Sequence, residues 1–191
     1  MFVGLFFGSF NPIHIGHLII AQHVINETQC DQVWMVVSPQ NPLKDKNSLA
    51  NDYDRLHLVQ LATEDNPKIK VSNIEFSLPK PSYTIDTLAY LKEKFPEHQF
   101  ALIMGGDNLL SLPKWKNYEL IIRDYPILIY KRPNYSIESD LLQNSNIQFI
   151  DAPLLDISST KIRSHLQQKK SVQYLVPDKA LEEILSLKIY K

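Results

Sequence analysis

The run Phe2-Val3-Gly4-Leu5-Phe6-Phe7 contains no polar side chain. A strand with one solvated face alternates apolar and polar residues; one that is apolar on both parities must be covered on both faces, as at the centre of a parallel sheet. Parallel neighbours in turn need long crossover connections, usually helices. The rest of the chain supplies both. Apolar runs at 33–37, 69–71, 100–104, 127–130 and 147–150 read as further strands, with 74–76 pairing 69–71 as a short strand pair. Helical periodicities lie at 15–28, with Leu18, Ala21, Val24 and Ile25 on one face, and at 52–64, with Leu56, Val59 and Leu61. Others lie at 84–94, 118–123, 159–167 and 177–186. The expected fold class is α/β: a Rossmann-like doubly wound parallel sheet with helices on both faces, joined by right-handed crossovers. We expect one domain over 1–191, with a small C-terminal helical part at about 157–191. Ligands of such sheets sit outside the carboxyl ends of the strands, here just after Phe7, Val37, Met104 and Tyr130.

Length and charge narrow the function classes. A chain of 191 residues can bury a substantial core, and 44% apolar with 21% charged residues is ordinary for a globular protein. Lys and Arg number 20 against 21 for Asp and Glu, so there is no basic excess for coating a nucleic acid. No apolar run reaches the roughly 18 residues of a membrane span. The apolar start lacks the basic segment of a secretory signal, since the first Lys or Arg is Lys44. A single cysteine, Cys30, cannot form an internal disulfide. These features predict a cytoplasmic protein without nucleic-acid or membrane partners; a homo-oligomer is compatible with all of them.

After the first strand comes Gly8-Ser9-Phe10-Asn11-Pro12-Ile13-His14-Ile15-Gly16-His17. Gly8 allows a sharp turn and close backbone approach, Pro12 stiffens the loop, and a helix begins near His14 or Ile15. Free amides and the positive end of a helix dipole favour phosphate there. His14 and His17, three apart on an opening turn, can face one anion, and Gly16 between them leaves room for a nucleotide. A histidine pair at this spacing is by itself more often structural. A zinc site lacks nearby Cys or carboxylate ligands. The dehydrogenase pattern Gly-x-Gly-x-x-Gly is absent.

A second polar stretch, Ile157-Ser158-Ser159-Thr160-Lys161-Ile162-Arg163, opens an amphipathic helix. Taken alone it is explained by N-capping through Ser158 or Ser159. It is equally suited to phosphate, with hydroxyls and helix-start amides plus the charged fork of Arg163.

His14-Ile15-Gly16-His17 matches the His-x-Gly-His signature of the nucleotidyltransferase superfamily, and the second stretch resembles the Ile-Ser-Ser-Thr-x-Ile-Arg signature of its adenylyltransferases. Further along stand Pro81-Ser82-Tyr83-Thr84-Ile85-Asp86-Thr87-Leu88, Gly105-Gly106-Asp107-Asn108-Leu109 and Trp115. As a set these resemble the bacterial nicotinate-mononucleotide adenylyltransferases, from the first strand to the last helix. The resemblance implies that the acceptor's pyridine ring stacks on Trp115. Its carboxylate would meet backbone amides and a hydroxyl at Tyr83 and Thr84. A helix start at Thr84 independently prefers a carboxylate over a neutral amide. The alternative for Trp115 is a half-buried core aromatic.

Asp107, with Gly105 before it, would meet the nucleotide sugar or polar groups beside it; otherwise it N-caps the segment that follows. The loop Pro39-Gln40-Asn41-Pro42-Leu43-Lys44-Asp45 would bring Asn41 to the acceptor and Lys44 to phosphate, although many relatives carry Pro-Pro-His-Lys or Pro-Pro-His-Arg there. Arg132 flanks the adenine or is a solvated arginine.

The implied reaction joins nicotinate mononucleotide to the AMP part of ATP, giving deamido-NAD and pyrophosphate, with magnesium accompanying the triphosphate. The acceptor phosphate is already anionic, so alignment and charge neutralisation suffice without a general base. The catalytic set is His14, His17, Lys44 and Arg163. ATP contacts are expected from Gly8, Ser9, Phe10, Gly16, Ser158, Ser159 and Thr160 as well. Rival readings are transfer to nicotinamide mononucleotide or phosphopantetheine, and a module that binds ATP without turnover.

Overall fold

The computed structural model describes residues 1–39, 49–131 and 140–190. Asn41, Lys44 and Arg132 lie outside them. Six parallel strands form one sheet: β1 (Phe2–Gly8), β2 (Gln32–Val37), β3 (Ile69–Ser72), β4 (Gln99–Gly105), β5 (Ile127–Tyr130) and β6 (Ile147–Ile150). Their order is β3-β2-β1-β4-β5-β6, so β1 is central, as its uninterrupted apolar run requires. This is the doubly wound Rossmann-like arrangement, whose order reverses beside the first strand.

The connecting helices are α1 (Ile15–Glu27), α2 (Asp52–Thr63), α3 (Thr84–Lys94), α4 (Gly106–Ser111), α5 (Tyr118–Asp124), α6 (Ser159–Gln167) and α7 (Asp178–Ser186). They divide between the two faces of the sheet. Ala21 and Val24 of α1, Leu58 and Val59 of α2, Ile162 of α6 and Ile184 of α7 share one apolar cluster with Phe6. Leu88 and Leu91 of α3, Leu109 of α4 and Ile121 of α5 share the other with Val3 and Leu5. Side chains of β1 thus feed the two clusters alternately, as the pleat demands. No helix among the described residues is long and apolar enough to cross a membrane.

One expected strand is absent. Residues 74–76 fall in a 3-10 turn, Ile74–Ser77, in which Phe76 N–H bonds Asn73 O at 2.9 Å and Leu78 N–H bonds Glu75 O at 3.3 Å. Ile74 and Glu75 are both buried there, and the Glu75 carboxyl is met by the Ser82 and Thr87 hydroxyls rather than by a neighbouring strand. The short helix α4 was not anticipated, and its N-cap is Gly105 rather than Asp107, which sits inside its first turn.

Candidate active site

In the parallel register Gly8 stands opposite Val37 and Gly105 opposite Tyr130, so the loops leaving these strands emerge at one edge. Phe10, two residues past β1's last residue, has φ 44° and is buried. That left-handed conformation is costly for a bulky side chain, and packing enforces it. The Phe10 ring lies edge-on to Phe6 and His17, at 5.9 and 5.0 Å between centroids. A Cβ on Gly8 would come within 2.8 Å of it, so Gly8 serves as the floor for this ring.

His14 is the N-cap of α1, and its backbone N–H donates to His17 Nδ1 at 3.2 Å. Because Nδ1 accepts, the neutral imidazole of His17 carries its proton on Nε2, where it is a donor. The two rings stack at 3.6 Å and 23°. A Cβ on Gly16 would stand 3.0 Å from Nδ1 of the His14 ring and 3.6 Å from Ile157.

The second polar stretch docks directly on this loop. Ser158 caps α6 by accepting the Lys161 N–H at 3.3 Å. Ser159 Oγ donates to Pro12 O at 2.9 Å, and Arg163 Nη1 donates to Asn11 O at 2.8 Å. Arg163 Nη2 lies 3.5 Å from Thr160 Oγ1. Two motifs nearly 150 residues apart therefore form a single surface, which carries imidazole, hydroxyl and guanidinium donors. Beside it a cleft of about 100 Å³ is lined by Gly16, His17, Tyr130, Asp156 and Ser158. The described residues contain no cluster of His, Cys, Asp and Glu able to hold a metal ion. A donor set of this kind suits phosphate oxygens.

On the opposite face of the sheet edge, Tyr83 N-caps α3 and Thr84 is its first residue. Trp115 is half-buried, its ring packed on the cluster of Leu5 and its Nε1 without a hydrogen-bond partner among the described residues. The two segments are joined by Lys116, which pairs with Asp86 at 2.8 Å and lies over the Tyr83 ring at 5.0 Å. Ser9 Oγ is also buried without a partner among the described residues.

A profile of the cytidylyltransferase-like family matches residues 5–165. A protein of Flavobacterium psychrophilum named "Probable nicotinate-nucleotide adenylyltransferase" is 54% identical, covering 100% of both chains. One of the same name from Cytophaga hutchinsonii is 52% identical over 100% of this chain and 98% of its own. The chain belongs to the nicotinate-nucleotide adenylyltransferase family. A solved Plasmodium falciparum nicotinic acid mononucleotide adenylyltransferase complexed with NaAD shares the fold, with TM-score 0.85 at 20% identity over 99% and 97% of the two chains.

In this adenylyltransferase two buried charged residues near the site carry no motif. Arg55 is fully buried, and its side-chain hydrogen bonds go to loop carbonyls at the sheet edge and to Asp52 at the start of α2. Nη1 donates to Ser9 O at 2.5 Å and Ser38 O at 2.9 Å, Nη2 to Pro39 O at 3.1 Å and Asp52 Oδ1 at 2.7 Å, and Nε to Ala50 O at 3.1 Å. Glu75, 3% exposed, accepts from Ser82 Oγ at 3.1 Å and Thr87 Oγ1 at 2.9 Å. Burial pushes its carboxyl above the usual range, while hydrogen bonds from Ser38, Thr87 and Ser82 pull it back. The Asp52–Arg55 spacing of three is the only trace of either in the sequence.

Proposed function

We infer that this chain transfers the adenylyl group of ATP to nicotinate mononucleotide in NAD biosynthesis, releasing pyrophosphate and deamido-NAD. An oxygen of the acceptor's phosphate attacks the α-phosphorus of ATP; that O–P bond forms as the bond from the α-phosphorus to the bridging oxygen breaks, and the electron pair leaves with pyrophosphate. The observation that carries the reading is the docking of α6 on the first loop through Ser159 and Arg163. It unites two phosphate-type motifs beside the helix start of α1.

His14 and His17 are assigned to the α- and β-phosphates, with the Nε2 proton of His17 as the donor. Thr160 and Arg163, with Ser158 and Ser159, receive the leaving group, and Lys44 joins them. Gly8, Ser9, Phe10, Gly16, Gly105, Asp107 and Arg132 border the nucleotide. The acceptor carboxylate is assigned to the α3 start at Tyr83 and Thr84, its ring to Trp115, and further acceptor contacts to Asn41 and Asp107. ATP is bound as its magnesium complex, the ion held mainly by phosphate oxygens and water. Donors fixed in place before the charge develops need no reorganisation during the reaction.

The test is pyrophosphate release from magnesium-ATP with nicotinate mononucleotide, nicotinamide mononucleotide or phosphopantetheine offered separately. Strong release with nicotinate mononucleotide alone is expected. Release only with another acceptor would overturn the assignment at Thr84, and silence with all three would overturn the enzymatic reading.

A further inference from the structure

Glu75 occupies a place that stability alone does not explain. A buried carboxyl is costly to desolvate, and among the described residues no basic side chain pairs with Glu75. Its partners are hydroxyls from separate segments: Ser38 after β2, Ser82 before α3 and Thr87 in the first turn of α3. Thr87 Oγ1 also lies 3.3 Å from Tyr83 O, so Tyr83 is held from both sides. Ser82 precedes it on the carboxyl, and Thr87 contacts its carbonyl. Another side-chain anchor on the approach to Tyr83 is the ion pair Lys80–Asp52 at 3.2 Å, with side chains 49% and 29% exposed, and pairs of that kind contribute little.

Ser38 extends the connection. Its side chain reaches Glu75, while its carbonyl accepts from Arg55 Nη1, which also holds Ser9 O of the first loop. Two buried groups of opposite charge thus meet at one serine, one serving the ATP side and the other the acceptor side.

We propose that Glu75 is a positioning residue that sets the 82–84 segment against the loop after β2, and so governs affinity for the acceptor rather than for ATP. This rests on the assignment of Tyr83 and Thr84 to the acceptor carboxylate. Removing the carboxyl frees the Ser82 and Thr87 hydroxyls, and the start of α3 no longer has a fixed distance to its ligand. A glutamine has the same shape and an acceptor oxygen, and hydroxyls can accept from its amide as readily as they donate.

The experiment is steady-state pyrophosphate release by wild type, Glu75→Gln and Glu75→Ala, varying magnesium-ATP and nicotinate mononucleotide separately, with thermal melts of each. For Glu75→Ala the acceptor KM should rise roughly 10–100-fold, the scale of a misplaced positioning group, with ATP KM within about 2-fold. Glu75→Gln should bring the acceptor KM back to within about 3-fold of wild type. Should the alanine variant not fold, Thr87→Val removes one donor in nearly the same volume and must show the same selective rise. Equal rises in both KM values, or unchanged KM values in a folded variant, overturn the proposal. A wild-type protein silent with this acceptor sinks the underlying reading instead, and the proposal with it.

Discussion

His17 illustrates how much one residue's chemistry depends on its neighbour's backbone. The His14 amide occupies Nδ1, so tautomer and ring orientation are set before any ligand arrives, and the donor on Nε2 needs no rotamer search. Substituting His17→Ala removes that donor together with the ring contacts to Phe10 and His14. Turnover is expected to fall by roughly 100-fold, as for loss of one preorganised donor, with the circular-dichroism spectrum intact. A folded variant turning over near the wild-type rate would falsify the phosphate assignment. The same scale shows what sequence reading misses. Gly16 looks like room for a ligand and does line the cleft, but a Cβ there would also crowd the His14 ring at 3.0 Å. That closeness depends on how a ring folds back over its own helix, which spacing alone does not encode.

Among the elements, α6 has two separable duties. Its cap is local: Ser158 accepts a single amide at 3.3 Å, and Ser158→Ala should cost about 0.5–1 kcal/mol of stability, the lower part of the N-cap range. In a chain of this size that is roughly 1–4 °C in Tm, read by thermal melt. Its docking is long-range, through Ser159 and Arg163 to the first loop, and no cap statistic predicts it. The element types and most positions were legible because a short unbroken apolar run such as that of β1 differs clearly from a 3.6-residue periodicity such as that of α3. The exceptions have physical causes. At 74–76 three consecutive residues, Ile74-Glu75-Phe76, look strand-like, but a buried carboxyl needs hydroxyl partners, and a tight 3-10 turn brings Glu75 to Ser82 and Thr87. Helix α4 is six residues long, too short for periodicity to register.

At the level of the whole molecule, Arg55 binds the sheet edge together. It donates to carbonyls of Ser9, Ser38, Pro39 and Ala50, so one side chain fixes the exits of β1 and β2 and the entry to α2. Arg55→Met would leave those carbonyls short of donors and Asp52 without its buried partner. We expect a loss of about 3 kcal/mol, measured as a lowered urea midpoint. Lys80→Ala, which breaks only an exposed pair with the same Asp52, should stay within about 0.5 kcal/mol. If both variants lose equally, the buried clamp is not what holds the loops.

The central position of β1, the doubly wound sheet and the polar donor types of the two motif stretches follow from the sequence alone, because burial on both faces and donor type are properties of local composition and crossovers between parallel strands share one hand. Tertiary structure decided what those features do to one another. It placed Asn11 under Arg163 across 152 positions and gave Ser38 to both Arg55 and Glu75. It also set the His14 ring about 3.0 Å from where a Cβ on Gly16 would stand. Each of these depends on which surfaces meet when the helices close on the sheet, and such meetings leave no periodic trace along the chain.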